Sequence, residues 1–420
     1  MKALVRIASI CLLIALIVSC APQAAPTSAP QPVATTAPQE PAKPTDAPQP
    51  PPEPTLSPNE AWLKAAELGK YAPAKQDWAA IEAAAKKEGK VVVYSNSSRI
   101  ADLKEPFEKK YPGIILEGYD LGGDDVLQKT LAEQKSGTYV QDVFFCGSNT
   151  GEVVADLMPK QYLWKFIPDR LVSVVPQEFA DPLLVSRFGV RMLGYNTELN
   201  PGGCPVANFW ELTEPEWKGK VFIEDPLTDS STVSILATIV AHKDELAVAY
   251  KDHFGKDPVL DADTPDAGWL WLKRFAQNKP VCASSGGNVV EAFSALGMTE
   301  AGVGFTSYSK YRDTVKGKLC FEPCTTLKPI MGVQTAAYVA IANGAPHPNA
   351  AKLFIDFVNT EEGFAPWNVI GNYSPRTDLK SPKGAIPYAE LSSYVWTIDE
   401  EYAYNQITKV RDFWAISLLQ

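Results

Sequence analysis

The residues of this 420-residue chain best suited to chemistry are clusters of small polar side chains, each lying directly behind a short apolar run. Val91-Val92-Val93-Tyr94 runs into Ser95-Asn96-Ser97-Ser98-Arg99, and Val143-Phe144-Phe145 into Cys146-Gly147-Ser148-Asn149-Thr150. Val221-Phe222-Ile223 leads through Glu224-Asp225-Pro226 to Asp229-Ser230-Ser231-Thr232. Gly304-Phe305-Thr306 leads to Ser307-Tyr308, and Ser284-Ser285-Gly286-Gly287-Asn288 precedes a further helical stretch. Hydroxyls and free backbone N–H groups at helix starts hold anions, because the unpaired donors and the positive end of the helix dipole point the same way. With Arg99 as a nearby cation, this inventory suits a small polar anion such as a phosphonate, sugar phosphate or carboxylate, held by charge-assisted hydrogen bonds. The expected contacts are Asn96, Ser97, Ser98, Arg99, Gly147, Ser148 and Asn149 from one body, and Ser230, Ser231, Thr232, Ser307 and Tyr308 from another. The competing roles are plainer: Ser230 to Thr232 can simply cap their own helix, and Arg99 can pair with a surface carboxylate.

Catalysis finds little support. Gly147-Ser148-Asn149-Thr150-Gly151 has its serine misplaced for GxSxG, and there is no HExxH, Walker A loop or GxGxxG. A secreted hydrolase stays open only because carboxylate pairs assemble in space. A stalked adhesin is the other rival, and it predicts no deep cleft. His242, His253 and His347 are scattered, and Cys320 and Cys324 form a lone CxxxC, so neither a metal nor another cofactor is expected. A net charge of −10 argues against a nucleic-acid partner; without Lys2 and Arg6 it is −12. Besides Cys11 and Cys20 there are Cys146, Cys204, Cys282, Cys320 and Cys324, an odd set in which at least one thiol lacks an intramolecular partner. If Phe321-Glu322-Pro323 turns, Cys320 and Cys324 can bridge; the pairing is otherwise open.

The elements that must position these clusters alternate between strand and helix. Residues 77–89 read as an amphipathic helix ending in glycine, and residues 91–94 as a buried parallel strand. Helices over 100–110 and 124–136 and strands over 114–119 and 143–145 follow. The spacing then predicts strands over 188–195, 221–223 and 336–341, with helices over 233–242, 289–296 and 349–359. Residues 388–394 and 401–414 also read as helical. Such alternation is the pattern of an open, wound α/β sheet, in which ligands lie beyond the carboxyl ends of the strands.

Ahead of this body, Lys2 and Arg6 precede an apolar run too short to span a bilayer, and Ile17-Val18-Ser19-Cys20 resembles the lipobox of bacterial lipoproteins. That resemblance implies cleavage before Cys20 and acylation of its thiol, anchoring the chain to the outer face of the cytoplasmic membrane or in the periplasm. Residues 21–58 carry 13 prolines and no apolar periodicity. They predict a disordered, extended stalk of roughly 100 Å, at about 3.1 Å per residue.

Several phrases resemble solute-binding proteins of bacterial ABC importers, in the branch of ferric-iron, thiamine and phosphonate binders. They are residues 91–99, Phe107-Glu108-Lys109-Lys110-Tyr111-Pro112-Gly113, Gly194-Tyr195-Asn196-Thr197, Trp217-Lys218-Gly219-Lys220-Val221, residues 349–357 and Glu361-Glu362-Gly363. The resemblance implies a two-lobed type 2 periplasmic-binding fold, each lobe an open wound sheet with flanking helices, and a hinge between. The implied organisation is a signal peptide at 1–19, a lipidated cysteine and linker at 20–58, lobe 1 at 59–192 and 329–360, lobe 2 at 193–328, and C-terminal helices at 361–420 mainly on lobe 2. It implies a monomeric receptor that closes on a small-molecule ligand and hands it to a permease, with no chemical conversion. The family's ferric ligands would fall at Ser98, at Cys146 or Gly147, and at Tyr308-Ser309, with Tyr311 a possible substitute. Ferric-ion binding is therefore the second ligand reading, and serine and glycine are poor donors for so hard an ion.

Overall fold

The computed structural model describes residues 56–147 and 150–420. The signal segment, Cys20, the proline-rich stretch to residue 55, Ser148 and Asn149 lie outside the described residues. The folded body starts slightly before the expected end of the stalk: Ser57 caps the helix Pro58–Ala65, its Oγ accepting from Glu60 N.

The described residues form twelve strands: β1 (Lys90–Ser95), β2 (Ile115–Asp120), β3 (Val143–Gly147), β4 (Leu163–Trp164), β5 (Leu184–Asn196), β6 (Val221–Glu224), β7 (Val281–Ala283), β8 (Val303–Ser307), β9 (Phe321–Pro323), β10 (Gly332–Ala342), β11 (Asn372–Tyr373) and β12 (Val395–Thr397). The main order is β2-β1-β3-β10-β5-β8-β6-β7. At one end β2, β1 and β3 are parallel; at the other β8, β6 and β7 are parallel. The long strands β10 and β5 run antiparallel to each other and to their outer neighbours, and so join the two wound sets. Val91, Val93 and Val143 to Phe145 are fully buried. Helices cover both faces of these strands, which is why they read as unbroken apolar runs and not as alternation.

Local chemistry sets the element ends. Asp77 Oδ1 accepts from Ala80 N to start the helix Trp78–Glu88, and Gly89 at φ 76° ends it in the left-handed conformation that glycine adopts without strain. The expected helix over 100–110 is a 3-10 turn, Ser98–Leu103, followed by the helix Lys104–Lys110. Pro106 has no N–H to donate back into the preceding turn, so it is tolerated only in the first turn of a regular helix, which here starts at Lys104.

Burial divides into two clusters. Phe107, Phe144, Phe145, Phe354 and Phe357 belong to the first. Trp210, Trp271, Phe275 and Trp414 belong to the second. The C-terminal residues contribute to both clusters. Phe364, Trp367, Tyr373 and Leu391 bury in the first cluster, and Val410 and Trp414 of the helix Glu400–Leu419 bury in the second.

The Cys320–Cys324 bridge does not form. Cys324 is bonded to Cys204, with their Cα atoms 5.2 Å apart, and Cys320 turns its Sγ to the Ser294 carbonyl oxygen at 3.2 Å. Residues 321–323 are the extended strand β9 and not a turn. At about 3.3 Å per residue, four extended residues separate their ends by roughly 13 Å, beyond disulfide reach. Cys146, Cys282 and Cys320 are free thiols among the described residues.

Candidate functional site

A cleft of about 350 Å³ opens where the two wound sets meet, and its floor is the β5–β10 pair. Side chains two apart on a strand share a face, so Arg187, Gly189 and Arg191 of β5 point the same way. Across the pair, Ala337 lies opposite Arg187 and Thr335 opposite Gly189, and β11 lays Asn372 beside Gly189. The small residues on this face leave room over the floor.

The walls come from the carboxyl ends of parallel strands. Asn96, Ser97 and Arg99 follow β1, Gly147 ends β3, Asp229 and Ser231 follow β6, and Ser307 and Ser309 follow β8. Of the expected residues, Asn96, Ser97, Arg99, Gly147, Ser231 and Ser307 converge on the cleft. Ser98, Ser230, Thr232 and Tyr308 do not line it. Ser98 is exposed on the 3-10 turn. Thr232 lies in the first turn of its own helix, both its N and Oγ1 donating to Oδ2 of the N-cap Asp229. Ser230 donates to Asp124 Oδ1 at 2.6 Å, a bond from one wall to the helix Gly123–Ser136 of the other half. Tyr308 is buried and faces a separate hollow, where burial pushes its hydroxyl up to about 12.

Arg99 is not the only cation. Arg187 Nη2 donates to Asn96 Oδ1 at 3.1 Å, and its guanidinium sits 5.7 and 5.9 Å from the Phe145 and Trp367 ring centroids. Its buried Nε has no hydrogen-bond partner among the described residues. Burial, reinforced by the charge of Arg99, brings Arg187 down to about 10, so it is still protonated at neutral pH. Arg99 is itself lowered, by burial and by Arg312. Arg191 differs from both, because it is ion-paired with Glu224. Among the described residues Asp229 is the only lining carboxylate, and its Oδ2 is occupied in capping. The cleft is thus electropositive inside an acidic protein, with two guanidinium groups that form no ion pair among the described residues; the Asp102 charge offsets only part of what burial and Arg312 impose on Arg99.

Sequence reasoning missed Arg187, Arg191, Thr335 and Asn372, and it named Asp229 and Ser309 without counting them among the anion contacts. The signal was present: Arg187-Phe188-Gly189-Val190-Arg191 places arginines at period two within a strand otherwise made for burial, and a charge there needs a reason. A larger hollow of about 630 Å³ borders Phe179, Phe364, Tyr373 and Tyr388, but its one arginine, Arg376, is held by Asp378 and the Asn359 carbonyl oxygen. Among the described residues no group of three or more His, Cys, Asp and Glu is arranged to hold a metal ion.

Solved structures share this fold. Iron-bound HitA from Pseudomonas aeruginosa is similar over 78% of this chain and 99% of its own, at 15% identity and TM-score 0.58. AfuA from Actinobacillus pleuropneumoniae, solved with fructose-6-phosphate, is similar over 79% and 99%, at 18% identity and TM-score 0.58. AgtB from A. tumefaciens R10, in complex with agropinic acid, is similar over 79% and 99%, at 18% identity and TM-score 0.55. At these identities the likeness establishes the fold, which is that of the periplasmic binding proteins. No curated protein matches the chain. The model of a family described as bacterial extracellular solute-binding protein matches residues 102–386, about two thirds of the sequence, and the chain therefore belongs to that family.

Proposed function

We propose that this solute-binding protein captures a small polar anion, a phosphonate, sugar phosphate or carboxylate, between its two lobes and delivers it unchanged to the permease of an ABC importer. The observation that supports this reading is the pair of guanidinium groups, Arg187 and Arg99, that line the cleft with no carboxylate in ion-pair contact with either among the described residues. A buried unpaired charge is costly, and an anion that bonds to both removes the cost while gaining charge-assisted hydrogen bonds. Ferric ion is the second reading, and the same groups oppose it, since guanidinium repels a cation and the tyrosine at the family's ligand position turns away from the cleft. The chain works as a monomer, tethered through a lipid on Cys20, with the hinge where β5 passes from lobe 1 (59–192) into lobe 2 (193–328) and where the chain returns to lobe 1 (329–360) just ahead of β10.

Calorimetry of the delipidated protein against phosphonates, sugar phosphates, carboxylates and ferric citrate tests the reading. Saturable binding of at least one anion is expected; tight binding of ferric ion alone, with a tyrosinate-to-iron visible band, reverses it.

Closure on ligand is favoured only by contacts made when both lobes meet. The Ser230–Asp124 bond is such a contact. A hydroxyl that donates to a charged carboxylate is worth about 1.5 to 3 kcal/mol, so Ser230→Ala is expected to weaken anion affinity by at least roughly tenfold. The same variant should enlarge the radius of gyration of the ligand-free protein in X-ray scattering. Unchanged affinity and unchanged scattering would reduce this bond to a surface contact.

A further inference from the structure

The hollow that takes Tyr308 is separate from the cleft and shares no lining residue with it. It measures about 400 Å³ and is lined by Tyr195 of β5, Tyr308 and Tyr311 of the segment after β8, Glu322 of β9, and Thr325 and Thr326 beyond it. The Tyr308 and Tyr311 ring centroids are 5.8 Å apart at an interplanar angle of 49°. The Cys204–Cys324 disulfide ties two of the walls together, so the hollow is framed by a fixed crosslink.

Glu322 is exposed, and its carboxylate receives only the Tyr195 hydroxyl, at 3.5 Å. No lysine or arginine reaches that carboxylate or lies over these three rings among the described residues. Burial and the Glu322 charge raise all three phenols above their ordinary value, so they stay neutral. Neutral phenols are poor donors to a hard metal ion, which binds phenolate. Neutral rings beside one free carboxylate are instead the inventory for an organic cation: the carboxylate supplies charge, and the ring faces supply cation–π attraction.

We propose that this hollow is a second binding site, for an organic ammonium group, held by the Glu322 carboxylate and the rings of Tyr195, Tyr308 and Tyr311. The site stands independently of the anion reading. The test titrates the full chain with choline and with its neutral isostere 3,3-dimethyl-1-butanol, followed by NMR. Choline is expected to bind saturably and about tenfold more tightly than the isostere. Glu322→Gln on the exposed edge and Tyr311→Leu are each expected to weaken choline at least about fivefold, while Arg187→Met leaves it unchanged. Absence of saturation by choline, equal affinity for the isostere, or loss of binding in Arg187→Met would overturn the proposal.

Discussion

Replacing Arg187 with methionine is expected to lower anion affinity by about a hundredfold and to leave the protein at least as stable as before. The two outcomes have one origin. Hydrogen bonds to a charged group contribute about 1.5 to 3 kcal/mol, and a guanidinium that offers two donors to one anion brings the loss to roughly 3 kcal/mol. In the structure the same side chain donates to Asn96 Oδ1, keeps a buried Nε without a partner among the described residues, and lies near a second cation, Arg99. An unpaired buried charge is a cost to folding, and an unbranched apolar side chain of similar length can fill the space between Phe145 and Trp367 without it. Arg187→Lys keeps the charge but loses the planar fork, so an intermediate loss of about tenfold is expected. Calorimetry gives the affinities and thermal melting the stability. A variant that binds as well as the parent would remove Arg187 from the site, and one that melts well below it would make the residue structural.

Much of the architecture was legible because it rests on local, repeated signals. Unbroken apolar runs such as residues 91–94 and 143–145 reveal strands covered on both faces, and Asp77 and Gly89 mark the two ends of a helix. The polar residues behind β1, and Gly147 at the end of β3, reach the cleft because a wound sheet sends the carboxyl ends of its strands to one place. What was not legible depends on pairing between distant segments. Arg187 faces the cleft only because β5 runs beside β10, 145 positions later at Gly332. Ser230 looks like a ligand-binding hydroxyl until Asp124, far back in the sequence, is seen to accept from it. Tyr308 sits next to a cleft residue, Ser307, but the chain enters a 3-10 turn there and the ring swings to the other side. The cysteines show the same limit: nearness in sequence favoured Cys320 for Cys324, and the extended geometry of β9 excludes it.

The crosslink that does form carries the second large effect. Cys204 and Cys324 are 120 residues apart, and a bridge over so long a loop removes much of the freedom of the unfolded chain. Chain-entropy reasoning gives up to about 5 kcal/mol, and typical native bridges contribute about 3 kcal/mol. Cys324 is fully buried in the second core and its N–H donates to the Leu193 carbonyl oxygen of β5, so the bridge also pins the strand that floors the cleft. For a body of about 365 residues, with an unfolding entropy near 2.1 cal/mol/K per residue, 3 kcal/mol corresponds to a fall in Tm of roughly 4 °C. Reductant is expected to lower the Tm of the parent by that amount and to leave Cys204→Ser, which starts from the lower value, unmoved. In denaturant, the body from residue 56 onward should show three reactive thiols, Cys146, Cys282 and Cys320, and five after reduction. Five thiols without reductant would mean the bridge is not formed in the mature protein. A Tm indifferent to verified reduction would mean that packing of the second core alone holds these segments, because the loop the bridge closes would then contribute nothing that the folded contacts do not already supply.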